Sequence, residues 1–375
     1  MDNRLDIKIK VLGVGGAGCN MVSHLYSKYI EQYVKKENIE VIAINSDIQV
    51  LNKSKSDRQI IIGEKLTNGW GCGMRPDIGK ESALESYQEL LETLEGTDMV
   101  FIASGMGGGT GTGAASVIAQ AAKEVGALTV SIVTKPFRFE GPKRSKFATE
   151  GIESLTKETD SLIIIDNEKL MKVQEKKMPL KQAFRMVDDV LAKAVQGIIS
   201  IVLESSENDD INVDFADLKT ILSYPGSSIM SVAVSQGEKA AVDVVHKVLD
   251  NPLLEVSDIK GTRGVLIHFT MNEEALLEDI YEALDVVYEN TSEDADIIFG
   301  TSTSADMPID EVRVTLVATG FTKETKNSKN VRKIETFIKH KKEVESEAKT
   351  EGRGMVEEFE TIPTKDNKEI LRLKF

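Results

Sequence analysis

Gly105-Met106-Gly107-Gly108-Gly109-Thr110-Gly111-Thr112-Gly113 is the stretch on which the reading of this chain turns. It stands between an apolar run at 99–103, with the composition of a strand buried on both faces, and a helical segment at 114–124. Six glycines in nine residues let the backbone reach φ > 0 and bring several N–H groups close to a bound anion with no Cβ in the way. The helix that follows aims its positive end at the same place. Thr110 and Thr112 add hydroxyls suited to phosphate or to a metal-bound water. A merely flexible turn between strand and helix has no need of so many glycines.

Two further glycine loops lie at strand ends. Gly13-Val14-Gly15-Gly16-Ala17-Gly18 follows a strand at 7–12 and matches GxGxxG. Alone that pattern is weak, and it favours a dinucleotide, with Asp47 standing after the second strand where a ribose-binding acid is found in such sites. The third loop is Gly69-Trp70-Gly71-Cys72-Gly73. By itself it reads equally well as a surface turn. Three such loops exceed what NAD binding requires, and the GxxxxGK[ST] lysine loop is absent from the chain. The residues therefore describe a nucleotide site that relies on backbone amides and helix dipoles.

Working outward, strand candidates at 7–12, 41–45, 99–103, 128–133 and 162–165 alternate with helix candidates at 20–33, 78–94, 114–124 and 144–157. That rhythm is one of repeated βαβ units around a parallel sheet. From Pro179 to Glu204 the residues Phe184, Val187, Leu191, Val195, Ile198 and Val202 recur at three and four, one face of a helix long enough to bridge two domains. A smaller mixed α and β half follows, with helices at 215–222, 239–249 and 275–288 and strands at 229–234, 265–270, 297–299 and 312–318. Beyond Gly320 charges crowd together, as in a solvated linker, until apolar residues return between Met355 and Phe375.

A chain of 375 residues suits two domains and a tail, and 41% hydrophobic with 29% charged residues is ordinary globular composition. No apolar run approaches the length of a membrane span, and the opening MDNRLDIKIK lacks an export signal's apolar core. Cys19 and Cys72 are the only cysteines, in keeping with a reducing compartment. The net charge of −15 argues against a general nucleic-acid binder. The residues from Phe321 onward carry 14 Lys and Arg against 11 Asp and Glu, so the acidity belongs to the preceding body.

GGGTGTG at 107–113 resembles the signature of the tubulin/FtsZ family. GVGGAGCN (13–20), NSD (45–47), GWGCGMRPDIG (69–79), KPFRFEG (135–141) and NVDFADLK (212–219) fall in that family's order, nearer to its bacterial cell-division branch than to tubulin. The resemblance runs from about Ile7 to Phe321. It implies an α/β fold: a Rossmann-like GTPase domain with a parallel sheet at 1–178, a long central helix at 179–205, a smaller mixed α/β C-terminal domain at 206–320, and a disordered linker with a docking peptide at 321–375.

Carried over motif by motif, the phosphates of GTP or GDP lie on Gly16, Ala17, Gly18, Gly109, Thr110 and Gly111, with Gly15, Cys19, Gly107, Gly108 and Thr112 in the same binding set. Glu140 resembles the ribose contact and Arg144 the sugar and phosphate contact. Asn20, Asn167 and Asp188 resemble the readers of guanine, with Phe184 stacked on the base. Read from residue type alone, Glu140 and Arg144 suit a loop acid and a solvated arginine, and Asp188 beside Asp189 suits a solvated helix face.

Asn212, Asp214 and Asp217 open the helix after the central one. The spacing of the two acids suits a water-orienting pair and equally suits an N-cap with a first-turn acid. In the family this loop completes the GTP site of the next subunit, so a head-to-tail filament is the expected assembly. Mg2+ is expected with the nucleotide and no metal site of the protein's own. The implied partners are further copies of the chain and, through the tail, membrane-tethering and division proteins. Nucleic acid and direct membrane insertion are not expected, and the implied location is the cytoplasm, at the mid-cell division ring.

An NAD-dependent oxidoreductase and a nucleotide-binding family member that does not hydrolyse are the rival readings. The first leaves two glycine loops and NVDFADLK without a role, and the second sits badly with intact Asn212, Asp214 and Asp217. The chain departs from the family at Cys19, Cys72 and Arg75, at 224–228 and 231–233, and after Ile362-Pro363-Thr364. Helix N-termini and glycine nests favour thiolates, which makes one or other cysteine a candidate for a lowered thiol pKa, with both close to the phosphates, while the reading favoured over a redox role makes both small buried fillers.

Overall fold

The computed structural model describes residues 7–30, 38–173, 178–204, 211–251 and 259–321, with two strand segments further on. Met1–Thr322 forms one compact unit and Lys323–Phe375 another. In the first unit ten strands make one sheet: β1 (Ile9–Val14), β2 (Ile39–Asn45), β3 (Arg58–Ile61), β4 (Met99–Gly105), β5 (Leu128–Lys135), β6 (Ser161–Asp166), β7 (Ser227–Gln236), β8 (Gly264–Met271), β9 (Asp296–Thr303) and β10 (Glu311–Phe321). The spatial order is β3-β2-β1-β4-β5-β6-β7-β10-β8-β9.

The first six strands run parallel, with Ile9 of β1 paired to Ile39 on one side and Met99 on the other. Chain order reverses at β1. From there the strands build outward through β2 and β3 on one side and through β4, β5 and β6 on the other. A crevice therefore opens beyond the carboxyl ends of β1 and β4, where open α/β sheets hold their ligands. Strand alternation sends Ile9 and Val11 into one apolar layer, with Leu191, Val195 and Ile198, and Leu12 and Val14 into the other, with Val117 and Ile118.

The pair Ile163–Ser228 joins this sheet to the smaller half, where β7-β10-β8 are antiparallel and β9 is parallel to β8. Val265, Ile267 and Phe269 of β8 pack with Val244, Val245 and Val248 of the Ala240–Leu249 helix and Ile280, Leu284 and Val287 of the Leu277–Asn290 helix. Phe321 is buried in this core, so the body extends one residue past the expected boundary at 320. The central helix is Leu180–Glu204, 25 residues and ~37 Å long at about 1.5 Å per residue. Val187, Leu191, Val195 and Ile198 are buried as its spacing predicts.

Three differences from the sequence reading have physical reasons. Both helices after the glycine loops begin inside those loops, at Gly15 and Thr110, because close packing overrides the poor helix propensity of glycine. The segment read as one helix at 78–94 is two, Pro76–Glu85 and Tyr87–Leu94, broken at Ser86 where the backbone turns to φ −100, ψ 15. Ser86 Oγ there accepts from Gly63 N–H, which ties the break to the loop before the Glu64–Thr67 helix. Strand β3 and the short helices Ile48–Leu51 and Glu64–Thr67 lie in a region that carried no periodic signal.

In the second unit, Phe359–Pro363 and Glu369–Leu373 pair antiparallel, Ile362 opposite Ile370, within the stretch read as a docking peptide. Residues 322–358, most of the expected linker, lie outside the described residues.

Candidate functional site

Two helix N-termini meet at the crevice. The helix Gly15–Leu25 leaves β1 and the helix Thr110–Glu124 leaves β4, and neither N-cap, Val14 or Gly109, supplies a side-chain hydrogen bond. Their first-turn N–H groups are thus donors without intrahelical partners, in the arrangement that binds phosphate. Gly15 has φ +73, a conformation that favours glycine, and a Cβ on it would stand 2.7 Å from the amide nitrogen of Gly111. The two loops are therefore in van der Waals contact.

Sterics separate the glycines by task. A Cβ on Gly111 would meet Ser104 Oγ at 2.5 Å, one on Gly113 would meet the Pro76 carbonyl at 2.0 Å, and one on Gly109 would meet Cys72 Cβ at 2.7 Å. Gly107, at φ +101, lies against the Arg144 carbonyl. Much of the glycine density is thus spent on packing three elements together. Gly16 and Gly108 differ: a Cβ on either meets nothing within 4 Å. Both positions are open, Gly16 in the first turn of one helix and Gly108 just before the N-cap of the other, which leaves room for a ligand at each.

The hydroxyls follow different paths. Thr112 Oγ1 is buried and accepts from Gly107 N–H at 2.8 Å, so it shapes the loop, while its own O–H is left to donate. Thr110 Oγ1 lies 2.7 Å from Ser46 Oγ and 3.4 Å from Cys72 Sγ. Ala17 is exposed and Gly18 is buried, its position pressed against the Ala103 carbonyl of β4.

Cys19 is a small buried filler, as the favoured reading has it. Its side chain is fully buried, with Sγ 3.6 Å from the Gly13 carbonyl and 3.7 Å from that of Ile44, so it faces the core and not the open glycines. Burial pushes the thiol up to about 11, with hydrogen bonds to Ser54, Asn45 and Ile44 opposing, the reverse of the thiolate reading. Cys72 is also buried, and the two sulfurs contact adjacent residues, Asn45 and Ser46, at the end of β2. Asp47 accepts from Gln49 N–H at 2.8 Å and caps the Ile48–Leu51 helix, which removes it from the ribose role of the dinucleotide reading. Arg75 is exposed and pairs with Asp77 at 2.6 Å.

Between the later turns of the Gly15–Leu25 helix and the first turns of the central helix lies a cavity of about 600 Å³ lined by Asn20, Ser23, His24, Lys181, Phe184 and Asp188, among others. It brings together three of the four residues expected at the base. Asp188 is half-buried, and burial pushes its carboxyl up to about 6 against the opposing influence of His24. Asp189, its neighbour, turns the other way. Burial alone would raise it, but hydrogen bonds from Lys28, Lys193 and His24 hold it well below the carboxylate range, pinning the central helix to the first. The solvated acidic face considered from sequence is thus two acids with opposite duties.

Phe184, 39% exposed, meets Phe137 edge-on at 5.4 Å, and Phe137 stacks on Phe139 at 5.2 Å, giving the cavity an aromatic flank. Asn167 opens the helix after β6 and is buried with its Oδ1 unpaired, an acceptor that a ligand N–H would satisfy. Glu140 accepts from Phe137 N–H at 2.9 Å and from Arg144 at 2.7 Å, so these two form one ion pair beside Gly107. Ser23, His24, Lys181 and Arg185 escaped the sequence reading. The last two share a face with Phe184 and Asp188 at spacings of three and four, a signal that was present in the pattern.

Asn212, Asp214 and Asp217 are not brought to this site. The central helix lines the cavity with Phe184 and Asp188 in its first turns and delivers the acid loop beyond its last. There the Ile211 N–H and carbonyl bond Thr301 of β9, and Asp214 Oδ1 accepts from Asp217 N–H at 2.7 Å as the N-cap of Phe215–Leu222. Asn212 and Asp214 are exposed and Asp217 is half-exposed.

Comparison with known proteins agrees with this geometry. Residues 8–175 match the Tubulin/FtsZ family GTPase domain and residues 226–322 match the FtsZ family C-terminal domain. The chain is similar to the FtsZ of M. jannaschii solved as an empty dimer, with 43% identity over 84% of this chain and 88% of that one, and a TM-score of 0.76. It shares its fold with CetZ1 of Haloferax volcanii, a GDP-bound monomer, at 20% identity and TM-score 0.72 over 84% of this chain and 95% of that one. CetZ2 of the same organism, a GTPγS-bound protofilament, matches at 18% identity and TM-score 0.71 over 92% of this chain and all of the other.

Proposed function

The chain belongs to the tubulin/FtsZ family of cytoskeletal GTPases, and from that premise we propose that it cleaves the terminal phosphate of GTP at a site completed by the next copy in a head-to-tail filament. Guanine enters the cavity beside Phe184. A carboxylate at Asp188 accepts from the N1–H and exocyclic amine of guanine and repels the acceptor N1 of adenine, while Asn167 Oδ1 gains the partner it lacks. Glu140 and Arg144 meet the sugar. The phosphates settle on the uncapped amides of the two helix starts, whose fixed dipoles stabilise charge spread over the transferring group.

The attacking water is oriented by Asn212, Asp214 and Asp217 of the neighbouring copy. Asp214 already spends one carboxylate oxygen on its cap, which makes Asp217 the stronger choice for holding water. The observation that supports this reading is that Phe184 and Asp188 line the cavity from the first turns of the ~37 Å central helix, while Asn212, Asp214 and Asp217 follow its last residue in the chain and are not part of that lining. A site split in this way is complete only at a contact between copies, and a head-to-tail contact propagates without closing. The dimer and protofilament named for the relatives support such assembly.

Among the described residues no group of three or more His, Cys, Asp or Glu is disposed to hold a metal ion. Mg2+ would come with the phosphates, whose charge it would neutralise, and the half-exposed Thr110 at the start of the second helix is a hydroxyl that could meet its water shell. We assign the protein to the cytoplasm and the division ring, with tethering partners bound through residues 321–375. Among the described residues no helix is long and apolar enough to cross a membrane. Phosphate release from GTP followed against protein concentration tests the proposal. Turnover per molecule rises steeply above a threshold if the site is shared, whereas turnover unchanged on dilution overturns it.

A further inference from the structure

Cys72 packs directly under the phosphate loop, its Cβ standing where a Gly109 side chain would go. Its Sγ lies 3.1 Å from Ser46 Oγ and 3.4 Å from Thr110 Oγ1, and those two oxygens are 2.7 Å apart. Ser46 is fully buried, Cys72 nearly so, and Thr110 half-exposed at the first position of the phosphate helix. Ser46 also holds the third glycine loop through its carbonyl, which accepts from Gly71 N–H at 3.0 Å.

Each of the three groups has one hydrogen to give. With Thr110 O–H donating to sulfur, the ring closes when the thiol donates to Ser46 Oγ and Ser46 O–H donates to Thr110 Oγ1. All three donors are then spent inside the protein. A phosphate oxygen that draws on the Thr110 hydroxyl must first take it from the ring, and the arm it takes is the one that ends on sulfur, a weak acceptor.

We propose that Cys72 is a positioning residue for phosphate binding: its thiol parks the Thr110 hydroxyl in the empty site and, as a weak acceptor, yields it to the nucleotide. This rests on the reading of the helix starts as the phosphate site. An oxygen at the same position would hold Thr110 more firmly and compete with phosphate. A methyl group would not compete at all. Nucleotide affinity is then ordered Ala, Cys, Ser at this position, although packing and hydrogen bonding in the empty protein favour serine over alanine among the buried hydroxyls.

The test compares Cys72→Ser and Cys72→Ala with the natural chain by equilibrium binding of GDP, GTP and guanosine, together with melting of the nucleotide-free proteins. Cys72→Ser is expected to weaken GDP and GTP on the order of fivefold, the scale of one exchanged hydrogen bond, while guanosine, which has no phosphate, is unaffected. Cys72→Ala is expected to bind GDP and GTP at least as tightly as the natural chain despite a lower melting temperature. Equal affinities in both variants, affinities that follow melting temperature, or a serine penalty shared by guanosine would each overturn the proposal. A natural chain that binds no guanine nucleotide would instead overturn the site reading on which it rests.

Discussion

Two glycine-rich helix starts pack so tightly that an added Cβ on Gly15 would stand 2.7 Å from Gly111 N, and one on Gly111 or Gly113 would meet Ser104 or Pro76 within about 2.5 Å. After the central helix, Asn212, Asp214 and Asp217 lie where the local support is one backbone bond from Thr301 to Ile211, one from Ile211 N–H to the Thr301 hydroxyl, and one cap. The difference follows from what each region must fix. A cradle that holds phosphate by backbone amides needs its geometry built in before the ligand arrives, so steric exclusion is written into the glycines. A loop that acts on another copy's ligand takes its final geometry from the contact, and ordinary helix-start residues suffice.

The largest effects are expected at the packed glycines. Gly113→Val forces a side chain into the Pro76 carbonyl and is expected to destabilise the fold by about 3 kcal/mol or more, read by thermal unfolding. Gly108→Val enters open space, so melting of the empty protein should stay within about 0.5 kcal/mol of the natural chain while GTP affinity falls by at least about 100-fold. If both variants melt normally, the tight packing is not what holds the cradle. If Gly108→Val still binds GTP, the open glycine does not face the phosphates.

The acid loop should show the opposite division. Asp217→Ala is expected to leave GTP affinity within about twofold and melting nearly unchanged, yet to lower turnover by about 100-fold or more, the usual scale for a lost water-orienting group. Weakened GTP binding in the isolated chain would place Asp217 in its own copy's site and erase the contrast between the two regions.

A smaller effect sharpens the comparison through pH. In the folded, empty protein Asp188 holds its proton up to about pH 6, while in the unfolded chain it releases it near the ordinary 3.8. Its contribution to folding therefore declines as pH rises between those values. Guanine requires the carboxylate, so affinity runs the other way and falls about tenfold per unit below pH 6. Asp188→Asn should weaken binding and remove this dependence. A dependence that persists in the variant belongs to another group such as His24.

The parallel sheet, the two glycine loops at its switch point and the long helix were legible because each leaves a periodic or compositional mark. Less legible was β3, four residues of which only Ile60 is buried, at the sheet's edge. The division of labour among glycines could not be read from their count, since Gly113 packs and Gly108 does not, and only the neighbour across the gap tells them apart. The two readings of Cys19 stayed open for a similar reason: membership of a loop says nothing about which way a side chain turns, and here it turns toward Gly13 and Ile44. The cavity gathers Asn20, Phe184 and Asp188 from distant stretches, and Ser23 and His24 join them from the last turn of the first helix, one turn after Asn20.

The most direct test of a site divided between copies is to mix two variants, each inactive alone. Asp217→Ala keeps the cradle and lacks the acid, and Gly108→Val keeps the acid and lacks the cradle. Followed by phosphate release at a concentration where the natural chain assembles, the mixture is predicted to recover activity, to roughly a quarter of the natural rate if copies pair at random. A mixture that co-assembles and still releases no phosphate would show that cradle and acid must belong to the same chain, and would contradict the account.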